Sequence, residues 1–241
     1  MNNSGEKIAL VTGSSRGIGK NIALCLAGNV SGVVVHYRKN EEDAQKTAAE
    51  IREAGAESEA FQADLTDERQ ALAFFQKAEK KLGRIDILVN NVGPLLVKPW
   101  KNVNSQDWDR IFAGNFKTAL FGMKAVLPGM RRRGWGRIIN LGYSRAEQLT
   151  AFPTIMPYAV AKTGLLILTR TAAKTEGKSG VTINMVSPGL IENGVLPVRK
   201  DIPLGRQGTF KDVSEAVGFL ASEEAGYITG VNLVVAGGWR L

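Results

Sequence analysis

Tyr158 and Lys162 stand four residues apart in Tyr158-Ala159-Val160-Ala161-Lys162. On a helix that spacing stacks two side chains on one face, a turn apart. A free tyrosine ionises near pH ~10 and is a poor acid–base group at neutrality. A fixed positive charge beside the phenol favours its ionised form and lowers that pKa. Such a pair can pass a proton to or from a carbonyl or alcohol oxygen. The same spacing also makes an ordinary amphipathic face, so its meaning depends on what the rest of the chain brings to it.

A second group of residues could hold phosphate. Thr12-Gly13-Ser14-Ser15-Arg16-Gly17-Ile18-Gly19 follows the apolar run Ile8-Ala9-Leu10-Val11 and precedes a helical pattern over 20–27. Backbone N–H groups converge on a phosphate where a strand, a glycine-rich turn and a helix start meet. The spacing G-x-x-x-G-x-G is neither the G-x-G-x-x-G fingerprint nor a G-x-x-x-x-G-K-[ST] phosphate loop. The next strand, over 32–37, ends in Tyr37-Arg38-Lys39. An acid there suits a ribose 2′-hydroxyl, and an arginine suits a 2′-phosphate. Arg38, with Arg16 in the glycine turn, therefore predicts NADP(H) over NAD(H). Glu41, Glu42 and Asp43 read as the first turn of a helix over 40–54, where acids suit the dipole.

Further polar residues punctuate the strands. Asp64 closes a third strand over 57–62 and either accepts from an adenine amino group or caps a helix with Thr66. Asn90 and Asn91 follow a fourth strand over 85–89. Buried amides must be hydrogen-bonded, so these two are expected to fix a loop. Asn115 sits among Ile111, Phe112, Phe116 and Leu120 in a long helix predicted over 107–130, where it either caps a kink or serves a site. Tyr143 and Ser144 follow a fifth strand over 137–141, and Pro188-Gly189 follows a sixth over 181–186. Helices are predicted over 68–82, 158–175 and 212–221, with a last strand over 231–235.

This alternation predicts an α/β fold, one domain over 1–241 built on a doubly wound, mostly parallel, Rossmann-like sheet. Ligands of such sheets bind beyond the carboxyl ends of the strands, and each polar oddity above falls at such an end or faces it. Composition narrows the classes further. The 241 residues are 44% hydrophobic and 22% charged, as in soluble globular proteins. Cys25 and His36 are the only residues of their types, which excludes a disulfide framework, a thiolate cluster, a His-based metal site and a Ser-His-Asp triad. No apolar run approaches the ~20 residues of a membrane span, and the opening is polar, so a cytoplasmic protein without a membrane partner is expected. The net charge of +8 suits an acidic ligand or partner. No helix-turn-helix, RNA-binding sheet motif or basic-aromatic stripe supports nucleic acid as that partner.

Taken in order, these segments resemble the classical short-chain dehydrogenase/reductases along essentially the whole chain, most nearly those of the 3-oxoacyl-[acyl-carrier-protein] reductase type. The match rests on residues 12–19, Asp64, Asn90-Asn91-Val92-Gly93, Asn115, Tyr158-x-x-x-Lys162 and Ser187-Pro188-Gly189. Ile202-Pro203-Leu204-Gly205-Arg206 and Tyr227-Ile228-Thr229-Gly230 extend it. The resemblance implies reduction of a carbonyl by hydride transfer from NADP(H), with Tyr158 as general acid. It makes Lys162 the holder of the nicotinamide ribose and Asn115 the anchor of a relay water. Gly13, Arg16, Gly17, Ile18 and Gly19 would wrap the pyrophosphate and adenosine side, with Ser15 in the turn and Tyr37 and Arg38 at the strand end. Asp64 and Leu65 would border the adenine. Asn91, Val92 and Gly93 would line the cofactor, and Pro188, Gly189 and Ile191 would flank the nicotinamide.

The resemblance also implies a homo-oligomer, commonly a tetramer, and a small carbonyl substrate that an acidic acyl carrier protein could present. Arg131, Arg132 and Arg133, with Lys174 and Lys178, are the candidate dock for such a carrier or else a solvated, dipole-compensating helix end. A reductase of another small carbonyl or pterin, and an NADP(H)-binding sensor with impaired catalysis, are the competing readings. The chain departs from the family pattern in three places. The family's carbonyl-holding serine falls, by count, on Tyr143; Ser144, one residue later, is the candidate to replace it, and the Tyr143 hydroxyl is the alternative. Val92 stands where alanine is usual. The stretch from Pro188 to Pro203 is shorter than usual, with Asn193 where a threonine is common.

Overall fold

The computed structural model describes residues 7–192 and 201–239. Asn193 lies outside them. Seven parallel strands form one sheet in the order β3-β2-β1-β4-β5-β6-β7. They are β1 (Ile8–Val11), β2 (Gly32–Tyr37), β3 (Glu57–Gln62), β4 (Ile87–Asn90), β5 (Gly136–Leu141), β6 (Val181–Pro188) and β7 (Asn232–Val235). Strands covered on both faces read as continuous apolar runs. Accordingly β1, β2, β4 and β5 are buried at every position, whereas the edges β3 and β7 are partly exposed. The doubly wound prediction is thus the fold observed.

Helices cover both faces. The first layer is α1 (Gly17–Ala27), α2 (Glu41–Glu53) and α7 (Phe210–Ala221). Its core joins Ile22, Ile51, Val213, Val217 and Leu220 to Val33, Val35, Val89 and Ile139. The second layer includes α3 (Glu68–Leu82), α5 (Thr118–Arg133) and α6 (Met156–Glu176). There Phe74, Phe75, Val126 and Met130 pack on Leu10, Val34, Leu88, Ile138 and Ile183. Caps fix the register of these helices. Asp67 accepts from the Gln70 N–H at the start of α3, and Thr209 with Asp212 forms a reciprocal capping box on α7.

The long helix predicted over 107–130 is broken in the structure. It divides into α4 (Ser105–Phe112), a π-helical turn (Ala113–Lys117) and α5. The extra residue in that turn rests on two local features. Gly114 lies against Pro94, where a Cβ would stand 2.6 Å from the ring, and the Asn115 amide donates to the Ile111 carbonyl at 2.9 Å. Single π turns are frequent at functional sites.

One buried charge anchors the amino edge of the sheet. Asp86 is fully buried and accepts from the Ile8 N–H at 3.0 Å, the Arg84 Nε at 2.7 Å and the Arg133 Nε at 3.0 Å. Removing it takes the carboxylate from two guanidinium groups and the acceptor from a buried amide. Asp86→Ala should lower unfolding stability by about 2–4 kcal/mol in urea titration. A loss below about 0.5 kcal/mol would contradict this accounting.

Candidate active site

Strand order reverses at β1, with β2 on one side and β4 on the other. Crossovers leave in opposite directions there, so a crevice opens at the carboxyl ends of those strands. The chain departs from β1 through residues 12–16 and enters α1 at Gly17, three residues earlier than the sequence pattern suggests. Gly17, Ile18 and Gly19 are therefore first-turn helical residues. Arg16 precedes them without a side-chain cap, and no acid occupies that turn. The first-turn N–H groups are thus left for an anion. A Cβ on Gly17 would have nothing within 4 Å, whereas one on Gly19 would lie 2.4 Å from the Gly13 carbonyl oxygen. The turn is open on its outer side and tightly wound on its inner side, which fits a pyrophosphate.

The turn is clasped from behind by Asn91, the loop-fixing amide the sequence singled out, by Thr12, and by His36, which motif reading passes over. The Asn91 Nδ2 donates to the carbonyls of Thr12 at 2.9 Å and Gly13 at 3.1 Å. The Thr12 hydroxyl accepts from the Asn91 and Val92 N–H groups at 2.9 and 3.2 Å. His36, buried in β2, accepts from the Gly13 N–H at its Nδ1 across 2.9 Å, and its Nε2 lies 3.1 Å from the Ala63 carbonyl. Burial pushes its pKa down to about 4, against the opposing pull of the Ala63 carbonyl and Asp64. The imidazole is therefore neutral and serves as a spacer between the turn and the end of β3. Thr12 and His36 carried a signal of position, at or near a strand end, but not of composition.

At the ends of β2 and β3, where the sequence expects adenosine, Arg38 and Asp64 meet. Their nearest atoms are 3.8 Å apart, and both side chains are substantially exposed. The Asp64 Oδ1 accepts from the Thr66 N–H at 3.0 Å and hydroxyl at 2.6 Å. Burial alone would raise its pKa, but those bonds and the Arg38 charge hold it below the usual range. The helix cap itself is Asp67, not Asp64. Tyr37 and Leu65 differ from expectation. Their side chains are drawn into the two core layers, with the Tyr37 phenol pushed up by burial and the neighbouring Glu41. They shape this end as packing, whereas Ser15 and Arg16 remain accessible.

The crevice deepens into a cavity of about 410 Å³. Among the predicted residues, Ile18, Asn91, Gly93, Ser144, Tyr158, Lys162, Pro188, Gly189 and Ile191 line it together, and Leu95, Phe152, Ile155, Leu190 and Trp239 add apolar wall. Pro157, early in α6, suits a helix start and sets Tyr158 and Lys162 in the first turns. Lys162 is 3% exposed and donates to the Leu141 carbonyl at 2.6 Å, with its Nζ 5.8 Å from the Tyr158 ring centroid.

Asn115 lies behind Gly93. A Cβ at Gly93 would fall 2.4 Å from the Asn115 Oδ1 and 3.0 Å from the Lys162 Nζ, so these groups face one another across the glycine. The amide donates to the carbonyls of Pro94 and Ile111, both at 2.9 Å, while its buried Oδ1 has no hydrogen-bond partner. Asn115 thus braces the kink and leaves an unpartnered acceptor beside Gly93. An orphaned acceptor beside a lysine fits a relay water or a ribose hydroxyl.

One electrostatic expectation is corrected. Burial dominates the Tyr158 phenol and raises its pKa, with Tyr143 adding to the rise. Burial likewise lowers Lys162 to about 7. The lysine turns its charge to the Leu141 carbonyl rather than to the phenol, so it does not depress the tyrosine in this arrangement.

The basic cluster is also redirected. Arg131 forms a two-pronged pair with Glu176 at 2.7 Å, and Arg133 is committed to Asp86 and the Ile85 carbonyl. Both lie at the end of α5, just before β5 begins, hence at the amino edge of the sheet. The cavity lies at the opposite edge, about a helix length away (roughly 24 Å for a helix this long). The solvated helix end is the reading the geometry favours for Arg132, Lys174 and Lys178.

Among the described residues no group of three or more His, Cys, Asp or Glu is placed to hold a metal, and no helix is long and apolar enough to cross a membrane. A family model described as enoyl-(acyl carrier protein) reductase matches residues 13–240. The 3-oxoacyl-[acyl-carrier-protein] reductase FabG of Staphylococcus aureus is 36% identical, covering 96% of this chain and 97% of that protein. FabG of Pseudomonas aeruginosa is also 36% identical, covering 96% of each. Acetoin dehydrogenase YohF from Salmonella typhimurium superposes with a TM-score of 0.89 at 31% identity, covering 97% of this chain and 96% of that one.

The low lysine pKa has a stability consequence. Between about pH 7 and the ordinary lysine value near ~10.4, the unfolded chain holds a proton that the folded chain has released. The stability of wild type relative to Lys162→Met, measured by urea titration without added nucleotide, should therefore rise with pH across that window. A difference that stays flat or falls would contradict the buried, easily neutralised amine.

Proposed function

We propose, from the premise that this chain belongs to the short-chain dehydrogenase/reductase family of oxidoreductases, that it is an NADPH-dependent carbonyl reductase acting on 3-oxoacyl thioesters. The observation that carries the reading is the placement of Tyr158 and Lys162 on one face of α6, opening into the cavity at the strand-reversal crevice. The family's nicotinamide cofactor, when bound, supplies the hydride. The residues fit it. Gly13, Ser15, Arg16, Gly17, Ile18 and Gly19 would take the pyrophosphate and adenosine side, and Arg38 the 2′-phosphate, with Asp64 at the adenine. Asn91, Val92 and Gly93 would border it from β4, and Pro188, Gly189 and Ile191 would flank the nicotinamide.

The chain's own groups divide the proton work. Burial keeps Tyr158 protonated, which makes it a standing general acid for a carbonyl oxygen that gains charge. Lys162, poised near pH 7, can receive a proton from the interior side and pass it forward. The Asn115 Oδ1 fixes the far end of that line. The apolar wall of Leu95, Phe152, Ile155 and Leu190 lowers the polarity on one side of these groups, which strengthens their electrostatic interactions.

FabG relatives at 36% identity over nearly the whole chain support a 3-oxoacyl thioester. One observation favours a smaller substrate. The cavity of about 410 Å³ is shared between the residues expected to meet the nicotinamide and those left for substrate, toward the low end of ligand pockets. A short hydroxyketone or diketone, the class named by the acetoin dehydrogenase neighbour, is the second reading. Assembly into a homo-oligomer is part of the proposal, since Leu233 and Val234 on the edge strand β7, with Phe219 and Tyr227 nearby in sequence, leave apolar surface exposed.

NADPH oxidation should be followed against 3-oxoacyl thioesters, diacetyl and acetoin. Turnover of the thioesters at least tenfold above the diketones supports the first reading, and the reverse order supports the second. Tyr158→Phe should lower kcat by about 10²–10⁴-fold while NADPH affinity, read by fluorescence, stays within about threefold. Unchanged turnover in that variant would remove the mechanism. Arg38→Asp should reverse cofactor preference toward NADH. A remaining tenfold preference for NADPH, about 1.4 kcal/mol, would contradict the 2′-phosphate assignment.

A further inference from the structure

Gly142 and Ser144, two residues apart beyond the end of β5, both donate their backbone N–H to β6, to the Val186 carbonyl at 2.8 Å and the Pro188 carbonyl at 2.9 Å. The parallel ladder therefore continues past Leu141. Pleat alternation then sends the intervening side chain, Tyr143, to the face opposite its two neighbours. There its ring meets the Tyr158 ring edge-on, with centroids 5.4 Å apart and an interplanar angle of 69°. Phe152 closes the other side at 6.0 Å. Tyr143 is 9% exposed, and its hydroxyl is enclosed without a hydrogen-bond partner. Buried hydroxyls are nearly always paired, and an exception calls for an explanation. This one belongs to a residue lining the same cavity as Tyr158 and Lys162.

We propose that Tyr143 is a catalytic residue whose hydroxyl donates a hydrogen bond to the substrate carbonyl oxygen that Tyr158 protonates, in preference to the Ser144 hydroxyl. The proposal rests on the carbonyl-reductase reading of the site. When the carbonyl carbon gains the hydride that a bound nicotinamide would supply, forming the new C–H bond, the π pair moves onto oxygen; that oxygen would take its proton from Tyr158 and retain the hydrogen bond from Tyr143, which keeps its own proton. Burial favours that division of labour by raising the Tyr143 pKa to about 12, with the Arg145 charge pulling modestly the other way. The Arg145 guanidinium is held 4.6 Å over the Phe152 ring and by the Gln148 Oε1 at 2.7 Å. The ring contact with Tyr158 sets two tyrosines side by side in the cavity lining. Ser144 also lines the cavity, but the ladder fixes its backbone through the Pro188 carbonyl, and it is Tyr143 whose ring is seated against Tyr158.

The test compares wild type, Tyr143→Phe, Ser144→Ala and Tyr158→Phe in NADPH oxidation with acetoacetyl thioester and diacetyl. Tyr143→Phe should lower kcat by about 100-fold, the effect of removing one donor to a developing oxyanion, with NADPH affinity unchanged. Its loss should exceed that of Ser144→Ala by at least tenfold. A second arm does not need turnover. ¹⁹F titration of 2,2,2-trifluoroethanol, run with and without NADPH, reads the oxygen-binding position directly, and Tyr143→Phe should weaken it at least fivefold. Loss in Ser144→Ala equal to or greater than in Tyr143→Phe, or trifluoroethanol binding unchanged in Tyr143→Phe, overturns the proposal. Failure of wild type to oxidise NADPH with any carbonyl, or full activity in Tyr158→Phe, instead overturns the reductase reading, and the ¹⁹F arm then judges Tyr143 alone.

Discussion

Lys162 is nearly enclosed, and the hydrogen bond it makes across 2.6 Å is to the carbonyl of Leu141, the last residue of β5. An ammonium group in that position is costly unless its remaining donors are covered. The surroundings are arranged around this demand. Gly93 brings the chain leaving β4 against the amine because it has no Cβ, and behind it the π turn presents the unpartnered Asn115 Oδ1. Pro157 starts α6 so that Tyr158 precedes the lysine by one turn. Three elements distant in sequence are thus tied to one buried amine. The same burial that lowers Lys162 raises Tyr158, so the two groups are moved toward their neutral forms together. A neutral amine and a protonated phenol side by side are a proton acceptor and a proton donor ready at physiological pH.

The glycine-turn end of the crevice is held by a different kind of contact. The turn is fixed by hydrogen bonds that Asn91 donates to the Thr12 and Gly13 carbonyls, that His36 accepts from the Gly13 N–H, and that the Thr12 hydroxyl accepts from the Asn91 and Val92 N–H groups. Backbone groups aimed at a phosphate must be rigid before the ligand arrives, because any ordering on binding reduces affinity. The neutral imidazole of His36 suits this task. It is a flat spacer that accepts from one loop and reaches a carbonyl of another, and it remains uncharged well below neutral pH.

Much of this was legible in the sequence, and the reasons differ by element. Buried parallel strands announce themselves as apolar runs, so Val33-Val34-Val35 and Ile138-Ile139 located β2 and β5 directly. The i,i+4 spacing placed Tyr158 and Lys162 on one face before any coordinates. The helix break at Asn115 was only half legible, since a polar residue in an apolar face signals a kink or a site but not a π turn. Electrostatic direction was not legible. Sequence pairs Lys162 with Tyr158, but only the fold shows that the amine turns to a carbonyl and that burial governs both groups. Nor could sequence reveal that Arg131 and Arg133 are spent on Glu176 and Asp86, because those partners come from separate elements. The swing of Tyr143 onto Tyr158 depended on whether the ladder between β5 and β6 continued past Leu141, which is a property of two strands together.

The proposed function requires one crevice, at the carboxyl ends of β1, β4, β5 and β6, to gather the glycine turn and the Tyr158–Lys162 face around a single nucleotide. Amide hydrogen exchange measured with and without saturating NADPH tests it most directly. The account predicts slowed exchange in residues 12–19, 90–93, 141–144 and 158–162 together, with the amino-edge segments around Asp86 and Arg131 unchanged. Protection confined to other segments, or present in the glycine turn but absent from 141–144 and 158–162, would contradict it.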